Sequence, residues 1–513
     1  MREPIRATPT SGSAAPQHDG AWRATLAVAA AALVLRLAAL FLSPLELYPD
    51  EAQYWLWSRH LAFGYVSKPP LIAWLIAVTT AAGHDGESFV RFSSPLIHAA
   101  ATLVVGRVGR RLYDGWTGAA AAALYALAPG VALSSFVVST DAGLMLCRAL
   151  ALWAYAALQS AADGRRRLVL GAAFGAALGL GFLAKYAVLY ALVGVAAHLA
   201  LSRTGRRAWS LPAAGAALAA FAVLAGPNIA WNATHGFATV AHTASNANWR
   251  GDLFHPAAFG AFLGAQFGVF GPVPFAVLVG GGAFLAWRRR LTAADGLLLA
   301  FAAPPLLIVA VQALISRANA NWAAAAYVPA AVLAAAWLLR WKARRWLAGT
   351  LWLQGLISVA ILVFLTAPAL ADRAGLANSL KRVRGWKSLT GIVAERAKLE
   401  DANGRLSAVA LDDRFFFNEA AYYGRDTFGP GGLQLAMWLK GRAPENQAEL
   451  EAPLTAANGA RVLAVSVDGR NAPAMAADFA RTGGREIDSV GLDRRHKRTI
   501  TMFLGEAFTP KPR

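Results

Sequence analysis

The sequence predicts a polytopic α-helical membrane protein of about eleven transmembrane helices carrying a C-terminal soluble α/β domain. Three observations lead there. Of 513 residues, 57% are hydrophobic and only 15% are charged, where a soluble domain carries about a quarter charged residues. Apolar runs of roughly the 20 residues a bilayer crossing needs recur through the first two-thirds of the chain. Arginine-rich clusters fall at every second junction between those runs, the pattern left by retention of basic loops in the cytoplasm.

Taken in order, residues 1–22 are expected as a disordered cytoplasmic N-terminus, polar and rich in Pro and Ser to about residue 17. The transmembrane domain is expected over 23–368. The first run, 24–42, is too long for a signal-peptide core and shows no cleavage site, so it is read as a retained span. Further spans are expected at 88–105, 116–134, 141–160, 168–183, 186–201, 211–229, 257–287, 294–315, 322–339 and 346–368. Arg107, Arg110 and Arg111 follow the second span, and Arg165, Arg166 and Arg167 the fourth. Arg203, Arg206 and Arg207 follow the sixth, Arg288, Arg289 and Arg290 the eighth, and Arg340, Lys342, Arg344 and Arg345 the tenth. The alternation predicts a cytoplasmic N-terminus and puts the loops 43–87 and 231–255, the turn 316–321 and the tail 369–513 on the periplasmic side. The tail has the size of one domain. Runs 406–411, 462–467 and 499–504 read as strands, and 433–439 and 472–479 as helices.

The formal charge of +20 does not indicate nucleic acid, because the basic residues sit at membrane junctions and form no continuous patch. A single cysteine, Cys147, excludes a disulfide framework and a cysteine metal site. Gly171, Gly175 and Gly179 recur at the spacing that lets helices approach closely, and are read as a packing face.

The first outer loop, 43–87, carries the strongest signal. Tyr48-Pro49-Asp50-Glu51-Ala52-Gln53-Tyr54-Trp55 sets two adjacent carboxylates among aromatics at the membrane surface; taken alone it fits equally an interfacial aromatic belt with a solvated acidic pair. Residues 55–63 are expected to lie amphipathically in the interface. Lys68-Pro69-Pro70 fixes the backbone and presents a cation, and the apolar run 71–82 is too short to span.

These residues resemble glycosyltransferase family 39, of the GT-C superfamily, which includes the protein O-mannosyltransferases and the bacterial lipid A aminoarabinose transferases. Ser139-Thr140-Asp141-Ala142 is similar to the family's second acidic position and Phe182-Leu183-Ala184-Lys185-Tyr186 to its lysine turn. Trp231-Asn232-Ala233-Thr234-His235-Gly236 and Asn319-Ala320-Asn321-Trp322 resemble two further outer turns. The resemblance covers roughly 37–337; no one motif is specific, but their order and sidedness together are.

It implies an inverting membrane glycosyltransferase that moves a sugar from a polyprenyl phosphate to a hydroxyl of an envelope lipid or glycan, such as lipopolysaccharide, or of a protein. The expected location is the periplasmic face of a bacterial inner membrane. Attack by a hydroxyl needs a general base, which the resemblance assigns to Asp50; Glu51 then assists or binds sugar. Phosphate leaves without a general acid but needs positive charge on its oxygens, here Lys68, Lys185 and Arg317. Asp141 opens an otherwise apolar span, where carboxylates are costly and usually functional; it binds the acceptor, orients Lys68 or caps its helix. Tyr54, Tyr186, Asn232, His235, Asn321 and Trp322 are expected to bind substrate. Arg36 and Arg148 lie within spans, and Arg36 either snorkels outward or pairs with Asp141. His235, His242, Asp252 and His255 share one loop, but their spacing matches no tight metal motif, so no metal or other cofactor is expected. A polyprenyl-linked sugar transporter or flippase predicts internal repeats that the sequence lacks, and a non-catalytic scaffold leaves the acidic pair unexplained.

Overall fold

The computed structural model describes residues 15–249, 251–441 and 443–511, with only the backbone for 15–19. The membrane part consists of α1 (Ala15–Leu42), α2 (Pro49–Arg59), α3 (Leu71–Gly83), α4 (Glu87–Leu112), α5 (Gly115–Ala126), α6 (Pro129–Ser134), α7 (Thr140–Leu158) and α8 (Gly164–Ala184). It continues with α9 (Tyr190–Leu201), α10 (Leu211–Thr234), α11 (Pro256–Val269), α12 (Pro272–Trp287), α13 (Ala293–Ile315), α14 (Ala320–Arg340) and α15 (Arg344–Thr366). Among the described residues eight of these are long and apolar enough to cross a membrane: α1, α4, α7, α8, α10, α13, α14 and α15. The protein is a polytopic helical membrane protein with a sheet-containing C-terminal domain.

The other three expected spans are short or broken. Segment 116–134 is two helices, because Pro129 cannot donate to the helix ladder and drives Ala128 to ψ 131°. The carbonyls freed at the break are captured: Ala126 O accepts from the Arg36 guanidinium and Leu127 O from Ser358 Oγ at 2.9 Å. Arg36 is therefore tied to this break and neither snorkels outward nor pairs with Asp141. Segment 257–287 breaks at Gly271, whose φ of 105° suits glycine and whose missing Cβ makes room for the Gln354 amide. The expected disorder over 1–22 is corrected for 15–22, which belong to α1, while 1–14 lie outside the described residues.

The glycine stripe sets a helix crossing. A Cβ on Gly171 would come within 2.3 Å of Ala213 O, and one on Gly175 within 1.9 Å of Ala217 O. α8 and α10 thus touch backbone to backbone, and the end of α8 delivers Lys185 to a fixed position.

The tail contains α16 (Trp386–Asn403), β1 (Ala408–Leu411), α17 (Arg414–Tyr423), β2 (Leu435–Met437), β3 (Arg461–Val467), β4 (Phe479–Thr482), β5 (Glu486–Gly491) and β6 (Lys497–Phe508). The sheet runs β2-β1-β3-β6-β4, with β5 also paired to β6. β1 pairs parallel with β2 and β3, and the remaining pairs are antiparallel. Two sequence expectations fail here. Segment 433–439 is strand, since Leu435 to Met437 pair in register with Val409 to Leu411 and bury their side chains; sheet pairing overrides a short ambiguous apolar run. Segment 472–479 is helical only over Ala472–Ala476, and Phe479 opens β4.

The domain sits on the segment between α1 and α4. Trp55 meets Tyr422 edge to face at 4.9 Å, Tyr422 OH donates to Asp85 O at 2.5 Å, and Leu47 N donates to Tyr423 OH at 2.8 Å. Instead of lying freely in an interface, α2 buries Tyr54, Trp55 and Trp57 beneath α17, and the chain leaves the helix after Arg59.

Candidate active site

Pro49 at the first turn of α2 presets helical φ, and Glu51 reaches back to accept Tyr48 N at 2.8 Å. Asp50 lies between them, at a helix N-terminus that favours a carboxylate. Burial nevertheless pushes its pKa up, against the opposing pull of Lys68, Arg414 and Arg382. Lys68 approaches from the turn before α3. Burial lowers its pKa, Lys185 lowers it further, and Asp50 and Asp141 oppose the shift. Asp141 occupies the first turn of α7, which Ser139 precedes as N-cap residue. Its Oδ1 accepts from Lys185 Nζ at 2.6 Å and its Oδ2 from Asn321 Nδ2 at 2.8 Å, so the carboxylate joins two turns remote in sequence and does not cap its own helix. The Tyr54 hydroxyl is buried among Asp50, Asp141 and Arg414, and desolvation raises its pKa well above the usual value.

The structure thus gathers Asp50, Lys68, Asp141, Lys185, Tyr54 and Asn321. The other predicted residues stand differently. Glu51 is fully buried and its oxygens are used up: Arg91 approaches at 2.6 and 3.0 Å, and Tyr48 N and Val138 N each donate at 2.8 Å. The expectation that Glu51 meets substrate is corrected; it braces α2 against the lead-in to α7. Tyr186 OH donates to Asn228 Oδ1 and accepts from Asn232 Nδ2, both at 3.0 Å, and Asn232 is buried, so this trio pins the turn behind Lys185. His235 is exposed, stacks on Trp231 at 4.1 Å and stays at the end of α10. Trp322 packs with Phe262 and Val309. Arg317 is exposed, and it is not among the charges that weigh most on Asp50 or Lys68. Among the described residues no three His, Cys, Asp or Glu side chains gather as a metal site.

Sequence reasoning missed two contributors, and weighed a third, His242, only as one of a loop group considered for a metal. Arg414 and Arg382 come from the tail, where nothing in the local pattern distinguishes them from other arginines. Arg382 donates to the Tyr48 hydroxyl. His242, in the helix Ala238–Ser245, is held down at about 4, first by burial and then by Lys68 and Arg414. Below the cluster lies an apolar cavity of about 520 Å³ that Asp141 and Asn321 border and that Met145, Phe270 and Tyr327 line. At its edge His98 Nδ1 meets Tyr125 OH at 2.9 Å and Nε2 meets Ser134 Oγ at 3.0 Å. Chemically this is a half-desolvated carboxylate facing cations, next to space for an apolar chain.

The Dolichyl-phosphate-mannose-protein mannosyltransferase family model matches residues 67–231. The lipid A galacturonosyltransferase RgtD of Rhizobium johnstonii is 36% identical over 386 residues, which is 74% of this chain and 78% of that protein. ArnT from Cupriavidus metallidurans, solved bound to undecaprenyl phosphate, superposes with a TM-score of 0.60 at 17% identity over 93% of this chain and 97% of its own. The Archaeoglobus fulgidus oligosaccharyltransferase, in complex with Zn and sulfate, gives a TM-score of 0.51 at 15% identity over 88% of this chain and 69% of its own. These two structures share the fold.

Proposed function

We propose, for a chain that belongs to the GT-C membrane glycosyltransferases, that it moves a sugar from a polyprenyl-phosphate donor to a hydroxyl of an envelope lipid on the periplasmic face of a bacterial inner membrane. The observation that carries this reading is the meeting of Asp50 with Lys68 and the Lys185–Asp141 pair above an apolar cavity. Asp50 takes the proton of the acceptor hydroxyl as its oxygen attacks the anomeric carbon. The bond from that carbon to the phosphate oxygen breaks with its electron pair on phosphate, and the configuration inverts. Burial makes Asp50 a stronger base than a free aspartate. Lys68 and Lys185 stabilise the departing phosphate oxygens, and the cavity receives the apolar chain of a lipid substrate. The likeness to a lipid A galacturonosyltransferase favours a lipid acceptor over a protein one.

The test is purified enzyme with a synthetic polyprenyl-phosphate sugar and lipid A. Asp50→Asn keeps shape and removes the base, and turnover should fall about 10²- to 10⁴-fold with donor affinity little changed. Wild-type turnover by Asp50→Asn rejects the base assignment.

A further inference from the structure

Lys68 and Lys185 can grip one phosphate only if two turns remote in sequence keep a fixed gap. Gly143 shows how near those turns come. A Cβ there would meet Ala184 Cβ at 3.0 Å and Leu71 Cδ2 at 3.6 Å. Ala184 precedes Lys185, Leu71 opens α3 just after Lys68-Pro69-Pro70, and Gly143 lies one turn into the helix that bears Asp141. Apolar packing of this kind has no direction, so it brings the turns together and leaves their exact spacing to polar contacts.

The approach to Lys68 is held at successive residues. Phe63 O accepts from Asn228 Nδ2 at 2.6 Å, Tyr65 O accepts from Thr239 Oγ1 at 2.7 Å, and Val66 N donates to Gln447 Oε1 at 2.8 Å. Between them Gly64 passes Trp231 so closely that a Cβ would come within 2.3 Å of the ring. Tyr65 N donates to Lys68 O at 3.2 Å and closes the turn that carries the lysine. Asn228 also reaches the other lysine's turn. Its Oδ1 accepts from the hydroxyl of Tyr186, the residue after Lys185, at 3.0 Å, and Asn232 Nδ2 donates to that same hydroxyl at 3.0 Å from one helical turn further along α10. Asn228 is fully buried and both ends of its amide are engaged. A single planar amide thus ties the two lysine-bearing turns together, and neither can shift without leaving a buried polar group unpaired.

Resting on the glycosyltransferase reading above, we infer that Asn228 is a positioning residue for the donor phosphate: it fixes the gap between Lys68 and Lys185, and so sets how well the pair holds one phosphate group, without touching substrate itself. A leucine at this position fills the same space and holds neither turn.

Full-length enzyme in detergent is titrated with a polyprenyl phosphate and with the matching polyprenol, which shares the chain and lacks the phosphate. Wild type should bind the phosphate form more tightly. Asn228→Leu should cut that preference about 10-fold, the effect of weakening one charge-assisted contact, and should leave polyprenol affinity unchanged. Tyr186→Phe releases one end of the amide and should cut the preference by a smaller factor; it carries the test if the leucine variant does not fold. In a Lys185→Met background no gap remains to be kept, so Asn228→Leu should cost less there than it does alone. Equal losses for phosphate and alcohol, or the same loss with and without Lys185, would make Asn228 a support of the fold only and overturn the proposal, as would a wild-type preference in both variants. A wild type that does not prefer the phosphate over the alcohol would instead sink the parent reading.

Discussion

Glu51 offers the sharpest separation of support from chemistry. In Glu51→Gln one acceptor oxygen must serve the Arg91 guanidinium and the Tyr48 and Val138 amides, and the buried cation loses its counter-charge. Both members of the pair are essentially sealed, with side chains 2% and 0% exposed. Breaking such a pair costs roughly 3–5 kcal/mol. In Glu51→Leu with Arg91→Met the unpaired charge is gone, but the Tyr48 and Val138 amides lose their acceptor, at about 1–3 kcal/mol for each that stays dry. Both variants should therefore melt below wild type, read by thermal unfolding in detergent. Activity should follow stability. Glu51 neighbours Asp50, and Val138 lies three residues before Asp141, so loosening this brace moves the two carboxylates apart, and a shift near 1 Å can cost about 10²-fold. If Glu51→Gln melts like wild type yet loses activity, Glu51 acts on substrate and the brace argument fails.

Three further outcomes follow from the geometry. Because Asp50 must be ionised to act and burial raises its pKa, kcat/KM should fall as pH drops through a value above the free aspartate value of about 3.9; with His242 held near 4, a pH–rate profile should show no step from that imidazole near 6.5. Lys185→Ala should weaken donor binding as well as turnover and Lys185→Arg should restore part, since charge returns without the geometry; unchanged donor affinity in titrations would remove Lys185 from the phosphate. Gly175→Val puts a side chain where Ala217 O lies 1.9 Å from the Cβ position, so the variant should lose monodispersity in size-exclusion chromatography, and a well-behaved variant would refute the close crossing.

Much of this was legible in the sequence for definite reasons. Span-length hydrophobicity and alternating arginines locate helices because a bilayer imposes a length and a charge asymmetry, and every expected span is helical. What that rule does not see is interruption: Pro129 and Gly271 break helices whose freed groups are satisfied by Arg36, Ser358 and Gln354, partners remote in sequence. Asp50, Lys68, Asp141 and Lys185 were nameable from short motifs, and Asn321 from a turn. Glu51 was misjudged because adjacency to Asp50 says nothing about direction: successive helix positions point about 100° apart, and Glu51 turns inward to Arg91. Arg414 was invisible because its relevance arises only from how a separate domain lies on α2.

That last arrangement bears on how the protein is made. α2 leaves the ribosome early, with Trp55, Leu56 and Trp57 uncovered, and most of the chain must be synthesised before α17 exists to lie on it. The loop bearing Asp50 stays uncovered until the last portion of the chain has been made and has folded. A chain truncated before Arg414 would keep all its spans and yet lack the cover of its acidic loop. Completion of the C-terminal domain thus governs the surroundings of Asp50: unfinished copies would keep its loop with Trp55 and Trp57 uncovered.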